Sequence, residues 1–140
     1  MFEQHTLTNT KPYRDYLNKI NLNRLRVIEL GIGSGKLTEL ILARNPIEVM
    51  GYEIDPTIVE ISHPKLKLII GDFTKQDFSY LNDECCLISN PPYSQLDFIK
   101  DNLIDKYKIN NVLIMTSLKK RSKFSDYEEV LLFSGTDFEP

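Results

Sequence analysis

Long apolar runs and abundant cysteines are both missing from this sequence. None of its apolar stretches reaches the roughly 18 residues that suggest a bilayer-spanning helix, so no membrane span is predicted. Nor do the first residues carry the basic and apolar regions of a secretory signal. The two cysteines, Cys85 and Cys86, are adjacent in a predicted strand and therefore point to opposite faces. We expect neither a disulfide framework nor a metal site, and the pattern favours a reducing, cytoplasmic setting.

An excess of positive charge is also lacking. The 17 lysines and arginines are outnumbered by 20 aspartates and glutamates, which gives a formal net charge of −3. Such a chain has no general affinity for polyanions, so a contact with nucleic acid must come from a local patch. One basic cluster follows the fifth predicted strand and could contact phosphates, although a solvated loop is an equally good interpretation. It consists of Lys119, Lys120, Arg121 and Lys123.

Apolar runs alternate with helix-like segments along a single predicted domain of residues 1–140. Strands are predicted at 26–30, 47–53, 66–70, 87–88, 111–116 and 130–134. Helices are predicted at 12–20, 36–44, 56–63 and 96–107. The first helix falls within a short N-terminal helical segment at about 1–22. This alternation predicts an α/β fold with a doubly wound, mainly parallel sheet.

Polar residues close or follow four of the apolar runs. They are Glu29, Glu53, Asp72 and Asn90. Parallel sheets of this kind bind ligands outside the carboxyl ends of their strands. A solvated strand end would explain any one of these residues, but four at corresponding places favour a ligand site at that edge of the sheet.

A glycine-rich turn, Gly31-Ile32-Gly33-Ser34-Gly35, links the first strand to the next helix. Its glycines permit close backbone approach, but Lys36 stands where a dinucleotide fingerprint requires glycine. The phosphate-loop pattern also fails, because Lys36 is followed by Leu37 rather than by serine or threonine. With Glu29 just before it, the turn suits the zwitterionic tail of an amino acid, whose ammonium group the carboxylate would meet.

Two later strand ends predict contacts with a nucleoside. Glu53, about 20 residues after Gly33, is placed to accept hydrogen bonds from two ribose hydroxyls. Asp72 can accept from an adenine amino group, and Phe73 can cover the base. Together with the amino-acid tail, these contacts describe S-adenosylmethionine better than NAD.

The segment Ser89-Asn90-Pro91-Pro92-Tyr93 predicts a stiff loop after a buried strand. The prolines remove two backbone donors and restrict φ, and Pro91 pushes Asn90 toward extended geometry. Asn90 and an unpaired proline carbonyl can accept both hydrogens of a planar amino group, while Tyr93 can stack on the ring that carries it. A proline-rich turn without function is the alternative interpretation.

As an ordered set, these motifs resemble the class I S-adenosylmethionine-dependent methyltransferases over nearly the whole chain. The matching segments are 27–35, 51–55, 71–73 and 89–93. The resemblance implies a Rossmann-like fold, S-adenosylmethionine as cofactor and S-adenosylhomocysteine as product. It also implies that Ile32 and Ile54 join the cofactor-binding residues. Pro92 and Tyr93 would act with Asn90 and Pro91 at the reacting nitrogen, and Asn90 would also border the cofactor.

Within that class, Gln4-His5-Thr6-Leu7 is similar to an element of the ribosomal RNA adenine dimethyltransferases that borders the methionine end of the cofactor. The segment 137–140 resembles the Phe-x-Pro segment of that family. Thr6 replaces the family's usual Phe, and Asn-Pro-Pro-Tyr replaces Asn-Leu-Pro-Tyr. The family's helical RNA-binding domain and seventh strand are not present in these residues. Asn-Pro-Pro-Tyr is shared with DNA adenine methyltransferases and with enzymes that methylate glutamine in translation release factors.

The resemblance implies direct methyl transfer to the exocyclic nitrogen of adenine in RNA or DNA, with no metal involved. Methylation of glutamine in a protein and a non-catalytic binding module are the alternatives. The sixth predicted strand would be an exposed edge of the sheet, so association of copies through that edge is a further expectation.

Overall fold

The computed structural model describes residues 6–7, 11–18, 20–89, 91, 93–114 and 138–139. Several predictions lie outside these residues and stay predictions. They are the sixth strand at 130–134, the basic cluster Lys119, Lys120, Arg121 and Lys123, and the site residues Gln4, His5, Asn90 and Pro92.

The strands form two sheets. The short strands β1 (Thr6–Leu7) and β7 (Phe138–Glu139) pair antiparallel. The central sheet is parallel, with strand order β4-β3-β2-β5-β6. Its strands are β2 (Arg26–Leu30), β3 (Glu48–Glu53), β4 (Leu66–Ile70), β5 (Cys86–Ser89) and β6 (Asn111–Ile114). All four residues of β5 are buried, as continuous apolar runs in parallel sheets usually are.

Helices cover both faces of the central sheet. On one face, α1 (Lys11–Leu17) and α2 (Lys36–Leu42) bury an apolar cluster that includes Val27 of β2. On the other face, a continuous helical run packs over Ile28 of β2. The run comprises α3 (Leu96–Phe98), a π-helical segment (Ile99–Ile104) and α4 (Asp105–Tyr107). The expected α/β, doubly wound parallel sheet is confirmed.

The two adjacent cysteines lie under different helical layers of the sheet. Cys85 belongs to the apolar cluster under the α3–α4 run and Cys86 to the cluster under α1 and α2, so their side chains do point to opposite faces. Both thiols are free and buried. Within the described part of the chain, no helix has the length and apolar character to cross a membrane.

The prediction of a helix at 56–63 is wrong. Only a single 3-10 turn, Pro56–Ile58, forms after β3. The start signal was interpreted correctly, since the Asp55 side chain accepts a hydrogen bond from Thr57 N at 3.0 Å. The turn then ends in extended backbone at Val59, with φ −76° and ψ 124°. Most of the residues that follow Pro56 are β-branched and lose side-chain freedom in a helix, so nothing local sustains it.

The missing helix leaves part of the sheet uncovered. Leu66, Leu68 and Ile70 of β4 share the face that α1 and α2 cover elsewhere. Leu66 packs against the core, whereas Leu68 is 40% exposed and Ile70 44% exposed. The described edge of the sheet is therefore apolar on this face.

Candidate functional site

A cavity opens at the carboxyl ends of the parallel strands, with about 490 Å³ of empty space that is partly open to solvent. Its wall is formed by residues at the ends of β2, β3 and β4 and by the segment after β5. They are Leu30, Gly31, Tyr52, Glu53, Ile54, Gly71, Asp72, Phe73, Pro91 and Gln95. This is the edge at which open α/β sheets hold their ligands, and it is also the edge at which the sequence predicts the site.

The glycine-rich turn is fastened to the end of β3. Gly31 N donates to Tyr52 O at 2.8 Å, and Gly33 N donates to a side-chain oxygen of Glu53 at 2.8 Å. Gly33 has φ +60°, and a Cβ built there would meet no atom within 4 Å. Gly35 has φ +106°, and its Cβ would lie 2.5 Å from Cγ2 of Ile61. Both the backbone conformation and the lack of space require glycine at position 35, whereas at position 33 the positive φ favours glycine and the space beside it stays open.

Glu53 is buried but well supplied with donors. Its side chain is 2% exposed and lines the cavity. Oε1 accepts the hydrogen bond from Gly33 N, and Oε2 accepts one from Asp55 N at 3.0 Å. A carboxylate oxygen has a second lone pair, so each can still accept from a ligand. Glu53 is thus a fixed double acceptor at the end of β3.

Asp72 begins the 3-10 turn Phe73–Lys75 at the end of β4. Its Oδ1 accepts from Thr74 Oγ1 at 2.7 Å and from Thr74 N at 2.9 Å. These two hydrogen bonds hold the pKa of Asp72 below its usual value of 3.8. Oδ2 has no partner among the described residues and is available to a ligand. Beside it, the Phe73 ring stands edge-on to Phe98, with ring centroids 5.8 Å apart.

Glu29 does not line the cavity, although the next residue in the sequence, Leu30, does. It is 1% exposed. Thr38 Oγ1 of α2 donates to its Oε1 at 2.5 Å. Burial raises the pKa of Glu29 to about 8, the Thr38 hydrogen bond opposes that rise, and the charge of Glu53 adds to it. This geometry gives no support to the expected direct contact between Glu29 and a ligand's ammonium group.

The segment after β5 supplies the remaining wall. Ser89 Oγ donates to Leu30 O at 2.8 Å, which ties the end of β5 to β2. Pro91 is buried and lines the cavity, and Tyr93 begins the 3-10 turn Tyr93–Gln95. Gln95, which sequence reasoning did not select, also lines the cavity. No motif marks it, and a polar residue within a largely apolar segment was its only signal.

The cavity therefore brings together much, though not all, of the predicted site. The predicted residues on its wall are Gly31, Glu53, Ile54, Asp72, Phe73 and Pro91. Ile32 is buried and its Cδ1 occupies the space over Gly51, where a Cβ would lie 2.1 Å away. Among the described residues, no cluster of histidine, cysteine, aspartate and glutamate could hold a metal ion.

The parallel strand order, the glycine turn and the acceptors at the ends of β3 and β4 define a Rossmann-like fold of the class I methyltransferase type. The sequence model of one family within it, the ribosomal RNA adenine dimethylases, matches residues 1–127. The chain belongs to that family, and the resemblance stated from its motifs is confirmed.

Relatives with the name ribosomal RNA small subunit methyltransferase A match over most of this chain. The protein of Persephonella marina is 34% identical over 127 residues, which cover 81% of this chain and 48% of that protein. The protein of Helicobacter pylori is 34% identical over 128 residues, which cover 86% of this chain and 46% of that protein. The chain thus spans about half the length of these relatives.

Solved structures show the same fold. The 23S rRNA methyltransferase ErmE superposes with a TM-score of 0.71 at 24% identity, covering 90% of this chain and 54% of that one. A dimethyladenosine transferase from Plasmodium falciparum superposes with a TM-score of 0.63 at 22% identity, covering 84% of this chain and 46% of that one. At these identities the likeness supports the architecture.

Proposed function

We propose that this chain is an S-adenosylmethionine-dependent N-methyltransferase that acts on the exocyclic amino group of adenine in RNA. One observation carries the proposal: Glu53, Asp72 and Pro91 line a single cavity beside the glycine turn. Family membership and the names of the relatives agree with it. The chain spans about half the length of those relatives, so we infer its activity, cofactor and substrate from the cavity together with family membership.

The wall residues fit the proposed cofactor. Glu53 would accept from the ribose hydroxyls through the free lone pairs of its two oxygens, and Asp72 Oδ2 would accept from the adenine amino group. Ile54 and Phe73 would pack on the base. The open space beside Gly33 leaves room for the amino-acid tail, with Gln4 and His5 expected near it from the family resemblance. When bound, S-adenosylmethionine supplies an electrophilic methyl group.

The loop after β5 would hold the acceptor. The Asn90 side chain and the Pro91 carbonyl would accept the two amino hydrogens and direct the nitrogen lone pair at the methyl group, with Pro92 stiffening the loop. Tyr93 would stack on the base, which in a duplex must first leave the helix. This is catalysis by positioning, from which well-oriented reactants gain roughly 7–11 kcal/mol.

RNA is the preferred acceptor because the relatives are named for ribosomal RNA. The chain as a whole is acidic, so contact with RNA phosphates requires a local basic patch. We propose that this patch is the basic cluster of Lys119, Lys120, Arg121 and Lys123. DNA and glutamine in a protein remain alternatives, because Asn-Pro-Pro-Tyr serves planar nitrogens in general. A non-catalytic module would bind the cofactor without transferring its methyl group.

Two measurements test the proposal. S-adenosylhomocysteine should bind in a calorimetric titration, and labelled methyl should pass from S-adenosylmethionine to ribosomal RNA. Asn90→Ala should abolish transfer and retain most of the affinity, whereas Asn102→Ala, at an exposed position of the π-helical segment, should match the unmodified chain. Binding without transfer to RNA, DNA or protein would leave the non-catalytic alternative. Absence of binding would end the proposal.

We further propose that two copies associate through β4, which is one of the two edge strands of the central sheet among the described residues. Val49 N donates to Lys65 O at 2.8 Å and Gly71 N donates to Glu53 O at 2.9 Å, so the odd-numbered residues of β4 direct their backbone groups at β3. Those of Leu66, Leu68 and Ile70 consequently face outward. An antiparallel pair centred on Leu68 would place it opposite its own copy and Leu66 opposite the partner's Ile70. Every such pair is apolar.

Association by one five-residue strand would be weak, so covalent capture is the suitable test. Paired residues of antiparallel strands lie about 5.5 Å apart at Cα, within the range of a disulfide. Leu68→Cys should form a cross-linked dimer on mild oxidation, while the buried Cys85 and Cys86 should contribute little. Ile47→Cys, 57% exposed but outside β4, is the control. Equal cross-linking of the two variants would contradict this mode of association.

A further inference from the structure

The wall of the cavity is rich in hydrogen-bond acceptors and poor in side-chain donors. Glu53 and Asp72 contribute carboxylates. The hydroxyl of Tyr52 shares a hydrogen bond with that of Tyr80, 2.5 Å away, in which either oxygen could be the donor. Of the wall residues that the structure describes, Gln95 alone has N–H groups on its side chain. No residue in the described part of the chain hydrogen-bonds its carboxamide.

The backbone holds Gln95 in place while leaving that amide unused. The residue ends the turn Tyr93–Gln95 and immediately precedes α3. Its side chain makes no capping hydrogen bond to the helix. The next residue, Leu96, is 0% exposed in the core, which anchors the start of α3. The backbone of Gln95 is therefore fixed at the cavity, and its side chain offers hydrogen-bond donors, whereas the two carboxylates only accept.

A bound adenine needs both kinds of partner. Its amino group donates, and the Asp72 carboxylate, which only accepts, suits it. Its ring nitrogens accept, so they require donors that neither Glu53 nor Asp72 can provide. A carboxamide N–H is such a donor, and an unpaired one beside the base costs no existing hydrogen bond to recruit.

We propose that Gln95 donates a hydrogen bond to a ring nitrogen of the cofactor's adenine and thereby helps the cavity select that base. The assignment to the cofactor follows from the neighbours, because Ile54, Asp72 and Phe73 line the same cavity. This inference rests on the proposed function. It adds Gln95, in the turn after β5, to the cofactor-binding residues proposed at the ends of β3 and β4.

The test compares S-adenosylhomocysteine with its 1-deaza, 3-deaza and 7-deaza analogues, each of which replaces one ring nitrogen by C–H. The unmodified chain should bind one analogue about 5- to 20-fold more weakly than the parent compound. Gln95→Met, which keeps the length and removes the N–H groups, should weaken binding of the parent by a similar factor and lose the discrimination. Ser94→Ala, an exposed neighbour on the same turn, should behave like the unmodified chain.

The outcomes distinguish a failure of the role assigned to Gln95 from a failure of the proposed methyltransferase function. Retained discrimination in Gln95→Met, or parent affinity equal to that of the unmodified chain, would overturn the role of Gln95 while leaving the methyltransferase proposal intact. If the unmodified chain binds none of the four compounds, the proposed function itself falls and this inference falls with it. A thermal unfolding curve for each variant checks that lost affinity does not reflect a lost fold.

Discussion

The ends of β2 and β3 each carry a buried glutamate, and the two behave in opposite ways. Glu29 and Glu53 project from the same face of the sheet and are 1% and 2% exposed. Glu53 accepts two backbone N–H groups, whereas the hydrogen bond to Glu29 comes from one hydroxyl, that of Thr38. Donors decide whether a buried carboxyl can keep its charge. Glu53 keeps free acceptor positions for a ligand, whereas Glu29, whose pKa is raised to about 8 by burial, is largely protonated at neutral pH.

The largest expected effect is the loss of cofactor affinity on substitution of Glu53. Glu53→Gln turns one acceptor oxygen into an NH₂ group, which would face Asp55 N or Gly33 N and could no longer accept from a ribose hydroxyl. Hydrogen bonds to charged groups contribute about 1.5–3 kcal/mol each, so affinity for S-adenosylhomocysteine should fall on the order of 10- to 100-fold. Calorimetric titration measures this.

The matched control for that loss is Glu29→Gln, which imitates the protonated side chain and should bind almost normally. Melting temperatures of both variants show whether either has lost its fold. Comparable weakening by the two substitutions would mean that Glu29 also meets the ligand, contrary to its placement.

The second effect concerns the pH dependence of stability. The pKa of Glu29 rises from 4.5 to about 8 on folding, so the folded state holds its proton more tightly than the unfolded chain. Its contribution is fully present below pH 4.5 and is lost as the pH rises to about 8, with a slope of up to ~1.4 kcal/mol per pH unit. Urea unfolding between pH 5 and 9 should show this decline, and Glu29→Gln should flatten it. An unchanged slope in Glu29→Gln would assign the decline to other groups.

The features that could be predicted from the sequence are those whose interacting residues lie close together along the chain. Runs such as 26–30 and 66–70 became strands as predicted, and the ordering of parallel strands brought Glu53 and Asp72 to one edge. The turn at Asp55 was also predictable, because the Asp55 side chain bonds to a residue two positions away. Whether a helix continued beyond it depended on packing against the sheet, which the short connection between β3 and β4 does not provide. Glu29 and Glu53 both end apolar runs, and only the folded glycine turn, which gives its N–H to Glu53, tells them apart.

A smaller effect on stability is expected at Thr38, the hydrogen-bond donor to Glu29. Thr38→Val keeps the shape and removes the hydroxyl that donates to Glu29. Losing this hydrogen bond in a fully buried site should cost roughly 1–2 kcal/mol of unfolding free energy. The cost should grow at alkaline pH, because the hydrogen bond opposes the rise in the pKa of Glu29. Thr38→Ser, which retains the hydroxyl, should recover most of the alkaline stability; failure to do so would assign the loss to packing.

The smallest effect belongs to the third carboxylate, Asp72, whose pKa is shifted the other way. The hydrogen bonds from Thr74 lower that pKa below 3.8, so its contribution to stability is present above this value and is lost as the pH falls through the folded pKa. Thr74→Val removes the hydroxyl, and the acid unfolding midpoint should move slightly upward. At pH 7 Asp72 stays ionised in both forms, so cofactor affinity should change by less than about 3-fold. A large loss of affinity at pH 7 would instead mean that Thr74 itself contacts the ligand. The opposite signs at Asp72 and Glu29 arise because one carboxylate has two donors at the rim of the cavity and the other has one donor in the core.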